Sequence, residues 1–225
     1  MQLIIDPLIC EKIDYFQIGM IHYKNITISE SPKMFKGRLQ LFQESLFFDL
    51  ENKSITELKN IKTWREIFKK TGKNPSRYHH SAEALYRRIQ KGKYLSSIHS
   101  AIDINNFFSL LYQLPIGIYD VASINGSVIT VTIGHEGQQY EGINRRMNSL
   151  QGLIITSDET GPFGSPFVDS LRTAVGAETT EAIQIVYLSP TFSITEGKEI
   201  LEAMKNMFIQ INGGEATTKL ITCNN

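Results

Sequence analysis

The chain has 225 residues, of which 41% are hydrophobic and 20% are charged, and its 23 basic and 23 acidic residues balance to a formal net charge of zero. These values exclude a disordered chain and are typical of a globular protein that can bury a substantial core. No apolar run approaches the ~20 residues needed to span a bilayer. The first residues lack the features of a signal peptide. We therefore expect a cytoplasmic protein that does not contact membranes.

Cys10 and Cys223 lie near opposite ends of the sequence. They are too few and too isolated to indicate a disulfide framework or a zinc site. The adjacent His79 and His80 would point to opposite sides of an extended chain, and no third ligand follows at a useful spacing. A P-loop and a G-x-G-x-x-G motif are also absent from the sequence. We expect no metal and no cofactor.

The N-terminal part combines strand and helix patterns. Residues 14–29 mix polar residues with Ile, Tyr, Phe and Thr, which predicts one long strand or a hairpin. Ser31 followed by Pro32 predicts the start of a helix, because proline is well tolerated at a first helical position. Apolar residues at helical spacing mark the buried face of this helix, namely Phe35, Leu39, Phe42 and Leu46.

A second helix is predicted to open with a capping box formed by Ser54 and Glu57 and to end near Gly72. Its apolar stripe consists of Ile55, Leu58, Ile61, Trp64 and Phe68.

Two further helices are predicted before the middle of the chain. Ser81 is the expected N-cap of the third helix, which runs to Gln90 and stops before Gly92. Asp103 is the expected N-cap of the fourth helix, and Pro115 lies beyond its end.

Strands dominate the region that follows, and they are predicted at residues 117–121, 127–134, 138–143, 152–157 and 183–189. A last helix should begin at a capping box of Ser193 and Glu196 and end at Gly213. Because helices come first and strands follow, the order favours an α+β fold over a regular alternating one. No Pro/Gly-rich linker divides the chain, so we predict one domain over residues 1–225. Residues 1–62 would supply strands and helices of that same unit.

Charge is distributed unevenly along the chain. Residues 59–93, the basic segment, contain eleven Lys or Arg residues and only two acidic residues, a local charge of +9. Residues 147–202 carry a local charge of −6. One interpretation of the basic segment is a solvated helix surface. The other is a surface that binds phosphates, since local fields steer charged partners and phosphate contacts make binding salt dependent.

Several polar motifs occur in order between residues 63 and 187. They are S-x-E-A-L-x-R-R at 81–88, G-K-x-L at 92–95, I-D-x-x-N at 102–106, L-P-x-G-x-Y-D at 114–120, and D-S-x-R-T-x-V at 169–175 with a later Thr179. This series resembles the B3/B4 domain, the editing module of the phenylalanyl-tRNA synthetase beta subunit, in its free-standing form. The resemblance implies an α+β domain with a mainly antiparallel sheet and flanking helices. It also implies binding of the aminoacyl end of tRNA and hydrolysis of mischarged aminoacyl-tRNA.

The resemblance, taken together with the charge pattern, predicts roles for individual residues. The candidates for catalysis are His99 and Asp169. The candidates for binding the amino-acid moiety are Glu83, Asp103, Asn106, Ser170 and Arg172. The candidates for binding RNA phosphates are Arg65, Arg77, Arg87, Arg88, Lys91 and Lys93.

Structural interpretations of the same residues remain open. Asp103 can act as a helix cap, and Asn105 and Asn106 can bond nearby backbone. His99 can be a hydrogen-bonded structural residue, although a histidine that titrates near neutrality can also orient a water. Residues 161–173 can be a surface loop.

This chain also departs from the family pattern. Free-standing relatives usually have Asn where His99 stands, and an Arg where Val168 stands. Counting back from Thr179, no acid matches the family residue that reads a tyrosine hydroxyl, and Asp169 lies two positions earlier. Specificity for tyrosine is therefore not expected to carry over directly.

No pattern for covalent catalysis is present, since there is no G-x-S-x-G motif and no Cys paired with His. An aminoacyl ester is already activated, so an oriented water and donors to the developing oxyanion are sufficient for hydrolysis. Two alternatives remain from the sequence. One is a non-catalytic module that binds tRNA or another RNA, and the other is a protein that binds a small molecule such as an amino acid. The expected nucleic-acid partner is RNA and not DNA.

Overall fold

The structure is a computed structural model that describes residues 1–223, so residues 224–225 of the predicted domain lie outside the described part. In chain order, its strands and α-helices are β1 (Gln2–Ile5), α1 (Pro7–Lys12), β2 (Gln17–Lys24), α2 (Lys33–Asp49), α3 (Lys59–Lys70), α4 (Ser81–Gln90), α5 (Ser100–Tyr112), β3 (Ile116–Asp120), β4 (Val128–Ile133), β5 (Gln139–Glu141), β6 (Met147–Ser149), β7 (Ile154–Ser157), β8 (Pro162–Gly164), β9 (Glu181–Tyr187), α6 (Ile194–Asn212) and β10 (Glu215–Thr222).

The strands form two four-stranded sheets and one hairpin. The first sheet has the order β1-β4-β7-β8, and only its β1–β4 pair is parallel. The second sheet has the order β10-β2-β9-β3 and is antiparallel throughout. Strands β5 and β6 form the separate antiparallel hairpin. The α+β class with mainly antiparallel sheets is therefore confirmed.

Helices α5 and α6 cover the second sheet, and the packing there is close. A Cβ atom at Gly19 of β2 would lie 2.4 Å from Cδ2 of Leu201 on α6, so any larger residue would displace the Leu201 side chain. The ring of Tyr23 on β2 stacks on Phe208 of α6 with centroids 4.0 Å apart. Both large sheets contribute to one hydrophobic core, which extends from Leu3 of β1 to Phe208. That all residues form a single folding domain stays a prediction.

A second, smaller apolar cluster joins α2 and α4 to α5. Its buried members are Leu50, Ile55, Ile61, Tyr86, Ile89, Leu95 and Leu110. The hydroxyl of Tyr86 donates a 2.6 Å hydrogen bond to the carbonyl of Leu110. This cluster fixes α4, with its charged side chains, against the rest of the protein.

Three predicted helix caps were wrong. His80, and not Ser81, caps α4, because its ring accepts a hydrogen bond from the backbone N–H of Glu83. His99, and not Asp103, caps α5 in the same way through Ile102. The predicted box at Ser54 precedes a single 3₁₀ turn instead, and α3 begins only at Lys59.

The strand predictions were right for five elements and incomplete for others. Residues 14–29 contain the single strand β2, not a hairpin. Strands were not predicted at β1, β6, β8 or β10. The capping box of Ser193 and Glu196 at α6 is confirmed.

The interpretation of the cysteines was also wrong. Cys10 in α1 and Cys223 after β10 form a disulfide, with their Cα atoms 5.4 Å apart. The pairing of β10 with β2 brings the C-terminal end of the described chain beside the N-terminal segment. The two cysteines are far apart in the sequence, so no local pattern indicated this contact. Among residues 1–223, no helix is both long enough and apolar enough to cross a membrane.

Candidate functional site

The candidate site is centred on Asp169, which follows β8. The hydroxyl of Tyr119 on β3 donates a 2.6 Å hydrogen bond to Oδ1 of Asp169. Burial of the carboxyl group raises the pKa of Asp169 to about 7, and the bond from Tyr119 acts in the opposite direction. The carboxyl group therefore exchanges its proton near neutral pH, which is the range required of a general base.

Two glycines make room for the Tyr119 hydroxyl. A Cβ atom at Gly117 would lie 2.0 Å from this oxygen, and a Cβ atom at Gly164 would lie 2.2 Å from it. Gly117 precedes Tyr119 by two residues on β3, so both occupy the same face of the strand. The absence of side chains at these two positions lets the tyrosine reach Asp169.

A second tyrosine fixes the segment that carries Asp169. The hydroxyl of Tyr140 on β5 lies 3.1 Å from Oγ of Ser165 and donates to the carbonyl of Val168 at 2.5 Å. Oγ of Ser165 in turn accepts from the N–H of Val168 and donates to its carbonyl. Residues 165–168 are thereby held in one conformation immediately before Asp169.

Two buried hydroxyl groups lie in the same region. The Cβ position of Gly164 that approaches Tyr119 is also 2.4 Å from Oγ1 of Thr156 on β7. Burial, reinforced by the negative charge of Asp169, raises the pKa of Tyr187 on β9, and the nearby hydroxyls of Thr156 and Tyr119 act in the opposite direction. Neither Thr156 nor Tyr187 makes a side-chain hydrogen bond of normal geometry to a described residue. They are available to bind another polar group.

A cavity of about 380 Å³ opens beside this cluster. Its lining comprises Tyr140, Glu141, Pro162, Ser170, Leu171 and Arg172. The lining includes the predicted binding residues Ser170 and Arg172. Asp169 immediately precedes Ser170 in the chain but is not itself among the lining residues. The volume falls within the range of small-ligand pockets, roughly 300–1,000 Å³.

Arg172 has internal partners as well as a position at the cavity. Its guanidinium binds both carboxylate oxygens of Asp158, at 2.9 and 3.0 Å, and the carbonyls of Ser123 and Gly161. A bidentate pair of this kind holds the guanidinium plane in a fixed orientation. Arg172 therefore ties the cavity wall to the loops that follow β3 and β7.

The last residue of the motif series also has a structural contact. Oγ1 of Thr179 donates a 2.8 Å hydrogen bond to Oδ2 of Asp120 and accepts one from the N–H of Gly176. The contact connects the start of β9 with the end of β3. It keeps the segment between Arg172 and β9 in place.

Glu83 on α4 lies at the centre of a buried ion-pair cluster. Its fully buried carboxylate accepts hydrogen bonds from Nη1 of Arg65 at 2.9 Å and from Nε of Arg87 at 2.9 Å. The ring of His79 lies 3.7 Å away. Arg65 and Arg87, which were predicted to bind phosphate, thus bind Glu83, which was predicted to bind the amino-acid moiety. These ion pairs give all three residues partners within the protein.

Other cations of the basic segment remain accessible. Lys62 and Lys69 pair with Glu57 and Glu66. Six exposed cations of this segment form no ion pair with another residue among residues 1–223, namely Lys59, Lys70, Arg77, Arg88, Lys91 and Lys93. Four of the six predicted phosphate contacts are in this group, and these side chains are free to meet a polyanion.

Asp103 belongs to a separate polar cluster. Its buried carboxylate accepts hydrogen bonds from the hydroxyls of Ser31 and Ser97 and from the N–H of Ile98. It shares no hydrogen-bond partner with Asp169, so their predicted common cavity stays a prediction. Asn106 is partly exposed beside this cluster.

His99 uses one ring nitrogen for the helix. Its Nδ1 accepts from the N–H of Ile102 at 3.4 Å. Burial lowers the pKa of His99, whereas Asp103 and the backbone of Val175 act to raise it. The ring is therefore mostly neutral at pH 7, and its capping role gives it a structural function whether or not it also binds water.

The structure thus places Asp169, Ser170 and Arg172 together, groups Glu83 with two arginines, and leaves Asp103 with its own partners. Tyr119, Tyr140 and Tyr187 were not among the predicted site residues. One signal was present, since a Gly-x-Tyr sequence in a strand leaves space beside the tyrosine ring on its own face. The other two tyrosines gave no local signal, because long-range pairing brings them to the site.

Comparison with known proteins gave two relatives by sequence. The uncharacterized protein YhzB of Bacillus subtilis (strain 168) is 32% identical over 225 residues, which covers 99% of this chain and 100% of that protein. The phenylalanine–tRNA ligase beta subunit of Paramagnetospirillum magneticum (strain ATCC 700264 / AMB-1) is 23% identical over 158 residues. That match covers 56% of this chain and 19% of the subunit.

Among solved structures, an N-terminal fragment of the phenylalanyl-tRNA synthetase beta subunit from Pyrococcus horikoshii aligns with a TM-score of 0.48 and 11% identity. The alignment covers 96% of this chain and 50% of that one. A family model described as the B3/4 domain matches residues 63–206. This match contains α4, α5, Tyr119, Asp169 and the cavity, and the chain belongs to the B3/4 domain family.

Proposed function

We propose that this protein binds the aminoacyl end of a tRNA and hydrolyses the ester of a mischarged aminoacyl-tRNA. The observation that carries the proposal is the carboxyl group of Asp169, which has a pKa of about 7 and is oriented by Tyr119 beside a cavity of about 380 Å³. A carboxyl group with an ordinary pKa near 4 would be a much weaker base. The family resemblance supports the choice of ester.

In the proposed reaction, ionised Asp169 accepts a proton from a water molecule as the water oxygen attacks the ester carbonyl. The C–O bond to the ribose then breaks, and the ribose oxygen leaves as a hydroxyl after taking up a proton. The buried hydroxyls of Thr156 and Tyr187, which neighbour each other, would hold the water, since neither forms a hydrogen bond of normal geometry in the described part of the protein. No side-chain nucleophile is required, because the ester is already activated.

The amino-acid moiety would occupy the cavity lined by Tyr140, Ser170 and Arg172. Arg172 is held in place by Asp158, so it would present its Nε–H group in a fixed direction. Discrimination between similar side chains by one pocket is limited to ~10–200-fold, which is why a separate hydrolytic site is useful to a synthetase system.

The RNA backbone would contact the accessible cations of the basic segment. Arg88, Lys91 and Lys93 lie within six residues of one another at the end of α4 and in the turn after it, and all three are exposed. Each phosphate contact in a single strand steepens the dependence of log affinity on log salt by about 0.7. Arg65 and Arg87 would contribute little, because Glu83 already binds both.

The proposal is tested with a panel of correctly charged and mischarged tRNAs in a deacylation assay. We expect faster ester hydrolysis for at least one mischarged tRNA and a large loss of that rate in Asp169→Asn. A positioned general base contributes ~10²–10⁴-fold to the rate, so a loss of this size is expected. Normal tRNA binding by the variant would place the defect in chemistry.

Binding is tested separately by salt titration. Arg88→Glu combined with Lys91→Glu should weaken binding to all tRNAs and reduce the salt dependence. Lys12→Glu combined with Lys198→Glu is the matched control, because it also reverses two charges at exposed positions, and both lie outside the basic segment. Salt-dependent tRNA binding without turnover on any tRNA would indicate the non-catalytic RNA-binding alternative. Affinity for free amino acids without affinity for RNA would indicate the small-molecule alternative.

A further inference from the structure

Helix α2 carries three large apolar side chains that the described chain leaves uncovered. Met34 is 87% exposed, and Leu41 and Phe48 are each 68% exposed. The three residues are seven positions apart, so they follow one line along the helix with a drift of only about 20° per step. Scattered apolar residues are common on protein surfaces, but a line over four turns marks a face that contacts another molecule.

This line lies on the side of α2 opposite its buried face. The buried residues of the helix are Phe35, Leu39 and Gln43. At about 100° per residue, Leu39 lies 200° from Leu41 around the helix axis. The uncovered residues therefore cannot reach the core of the same protomer by a small rotation of the helix.

Gly37 adds a second observation on the same face. It sits between Met34 and Leu41, and a Cβ atom built on it would meet no atom within 4 Å. Glycine weakens a helix relative to alanine, and packing within this chain does not require it here. Small residues on a helix face permit a second helix to approach closely.

The charges of α2 indicate which molecule covers this exposed apolar line. The first half of the helix contains Lys33, Lys36 and Arg38, whereas acidic residues Glu44 and Asp49 occur only in the second half. Within the described chain, Lys36 pairs with Glu30, and Lys33, Arg38, Glu44 and Asp49 form no ion pair. A second copy of α2 in antiparallel orientation would place each basic half beside an acidic half.

We propose that two copies of this protein associate through α2, antiparallel about a two-fold axis near Leu41. Leu41 then faces Leu41 of the second copy, and Met34 faces Phe48. The contact is isologous, so the same patch serves both copies and the assembly closes at a dimer. It does not depend on the proposed reaction, since the Asp169 site lies on other elements.

Self-association is measured on the full chain by sedimentation equilibrium over a wide concentration range. We expect a monomer–dimer equilibrium that Leu41→Glu abolishes. Tyr15→Glu is the control, because Tyr15 is 70% exposed but lies outside α2, and it should leave the equilibrium unchanged. Leu41 is exposed at 68%, so its replacement should not unfold the chain, and circular dichroism of the variant verifies this. A monomer at all concentrations, or a dimer insensitive to Leu41→Glu, overturns the proposal.

Cysteine cross-linking tests the orientation. Both natural cysteines are bonded to each other, so an introduced thiol has no free thiol partner in the described residues. Leu41→Cys should form a covalent dimer under mild oxidation. A mixture of Met34→Cys and Phe48→Cys proteins should cross-link, whereas Met34→Cys alone should not. Cross-linking of Met34→Cys to itself would indicate parallel helices and contradict the model of the dimer.

The alternative partner for this apolar line is a membrane surface, because exposed apolar residues beside lysines and an arginine also suit an anionic lipid bilayer. Flotation with vesicles containing anionic lipid measures it directly. Absence of flotation is expected from a dimer contact. A monomeric protein that floats, and that loses flotation in Leu41→Glu, would replace the second copy with a lipid surface.

Discussion

The hydroxyl of Tyr119 lies 2.6 Å from Oδ1 of Asp169, although 50 positions separate the two residues in the chain. Tyr119 lies on β3, an edge strand of the second sheet, and Asp169 lies in the segment that leads into the cavity wall at Ser170. The bond stabilises the ionised carboxylate, while burial favours the protonated form. Because the two influences oppose each other, the pKa of Asp169 can be changed in either direction by substitution nearby.

The pH dependence of deacylation should follow Asp169. The rate is expected to be low at acidic pH and to rise through a midpoint near pH 7, because only the ionised carboxylate accepts a proton and its pKa is about 7. Single-turnover rates measured across the pH range check this. Asp169→Asn should remove the rise, and a midpoint near pH 4 would contradict the assignment.

The same pKa predicts an effect on stability. In the unfolded chain the pKa of Asp169 returns to near 4, so between about pH 4 and pH 7 the folded state binds more protons than the unfolded state. The folded protein therefore loses stability as pH rises through this window. Asp169→Asn should raise the free energy of unfolding by ~1–3 kcal/mol at pH 8 and have little effect near pH 4. Urea unfolding at the two pH values measures this, and equal effects at both would exclude the mechanism.

Tyr119→Phe should move the midpoint of the pH–rate profile upward. The lost hydrogen bond favoured the ionised form of Asp169, so without it the pKa rises further above its ordinary value. The variant should also lose ~1 kcal/mol of stability. Tyr140→Phe is the comparison, because that hydroxyl bonds Ser165 and Val168 and not Asp169. Its pH midpoint should stay in place.

Glu83→Gln should destabilise the protein strongly. The substitution leaves Arg65 and Arg87 close together without the buried carboxylate that neutralises them, and breaking a buried ion pair on one side costs about 3–5 kcal/mol. Glu66→Gln provides the matched control, since Glu66 pairs with Lys69 at the surface. Its cost should stay below about 1 kcal/mol. Equal losses in thermal unfolding would show that Glu83 has no special structural role.

Removal of the disulfide should lower stability without changing the site. Cys10→Ser opens a link that spans 213 positions, and the loop-closure model assigns about 5 kcal/mol to a link of this length. The parent protein should lose a similar amount in reducing buffer, whereas the variant should be insensitive to reductant. Denaturant unfolding with and without reductant makes the comparison. A parent protein that is unaffected by reductant would contradict this expectation.

Elements with local signals were predictable from the sequence. The box of Ser193 and Glu196 identified the start of α6 because both partners lie three residues apart on the same turn. Asp169, Ser170 and Arg172 fall within one motif, so their proximity follows from the sequence, although Asp169 was predicted to act with His99 and the other two were predicted to bind the amino-acid moiety with Glu83, Asp103 and Asn106.

Features that depend on distant contacts were not predictable in this way. The imidazoles of His80 and His99 cap helices only because neighbouring elements bury and orient them. Strand β10 depends on its pairing with β2 across almost the whole chain. Tyr119 reaches Asp169 only because Gly117 and Gly164, from two different sheets, both lack side chains.

The bond between Cys10 and Cys223 also has a consequence for the architecture of larger proteins. The Cα atoms of these residues are 5.4 Å apart, close to the spacing of adjacent strands. A folded unit whose incoming and outgoing segments lie side by side can be inserted into a loop of a host protein without forcing the host's own strands or helices apart. A graft into an exposed loop of an unrelated host should therefore preserve both folds, provided that it carries residues 1–223, because Leu3 and Ile9 belong to the core and Met1 lies beside Lys219 of β10. The same geometry makes new chain ends at an internal turn a workable circular permutation.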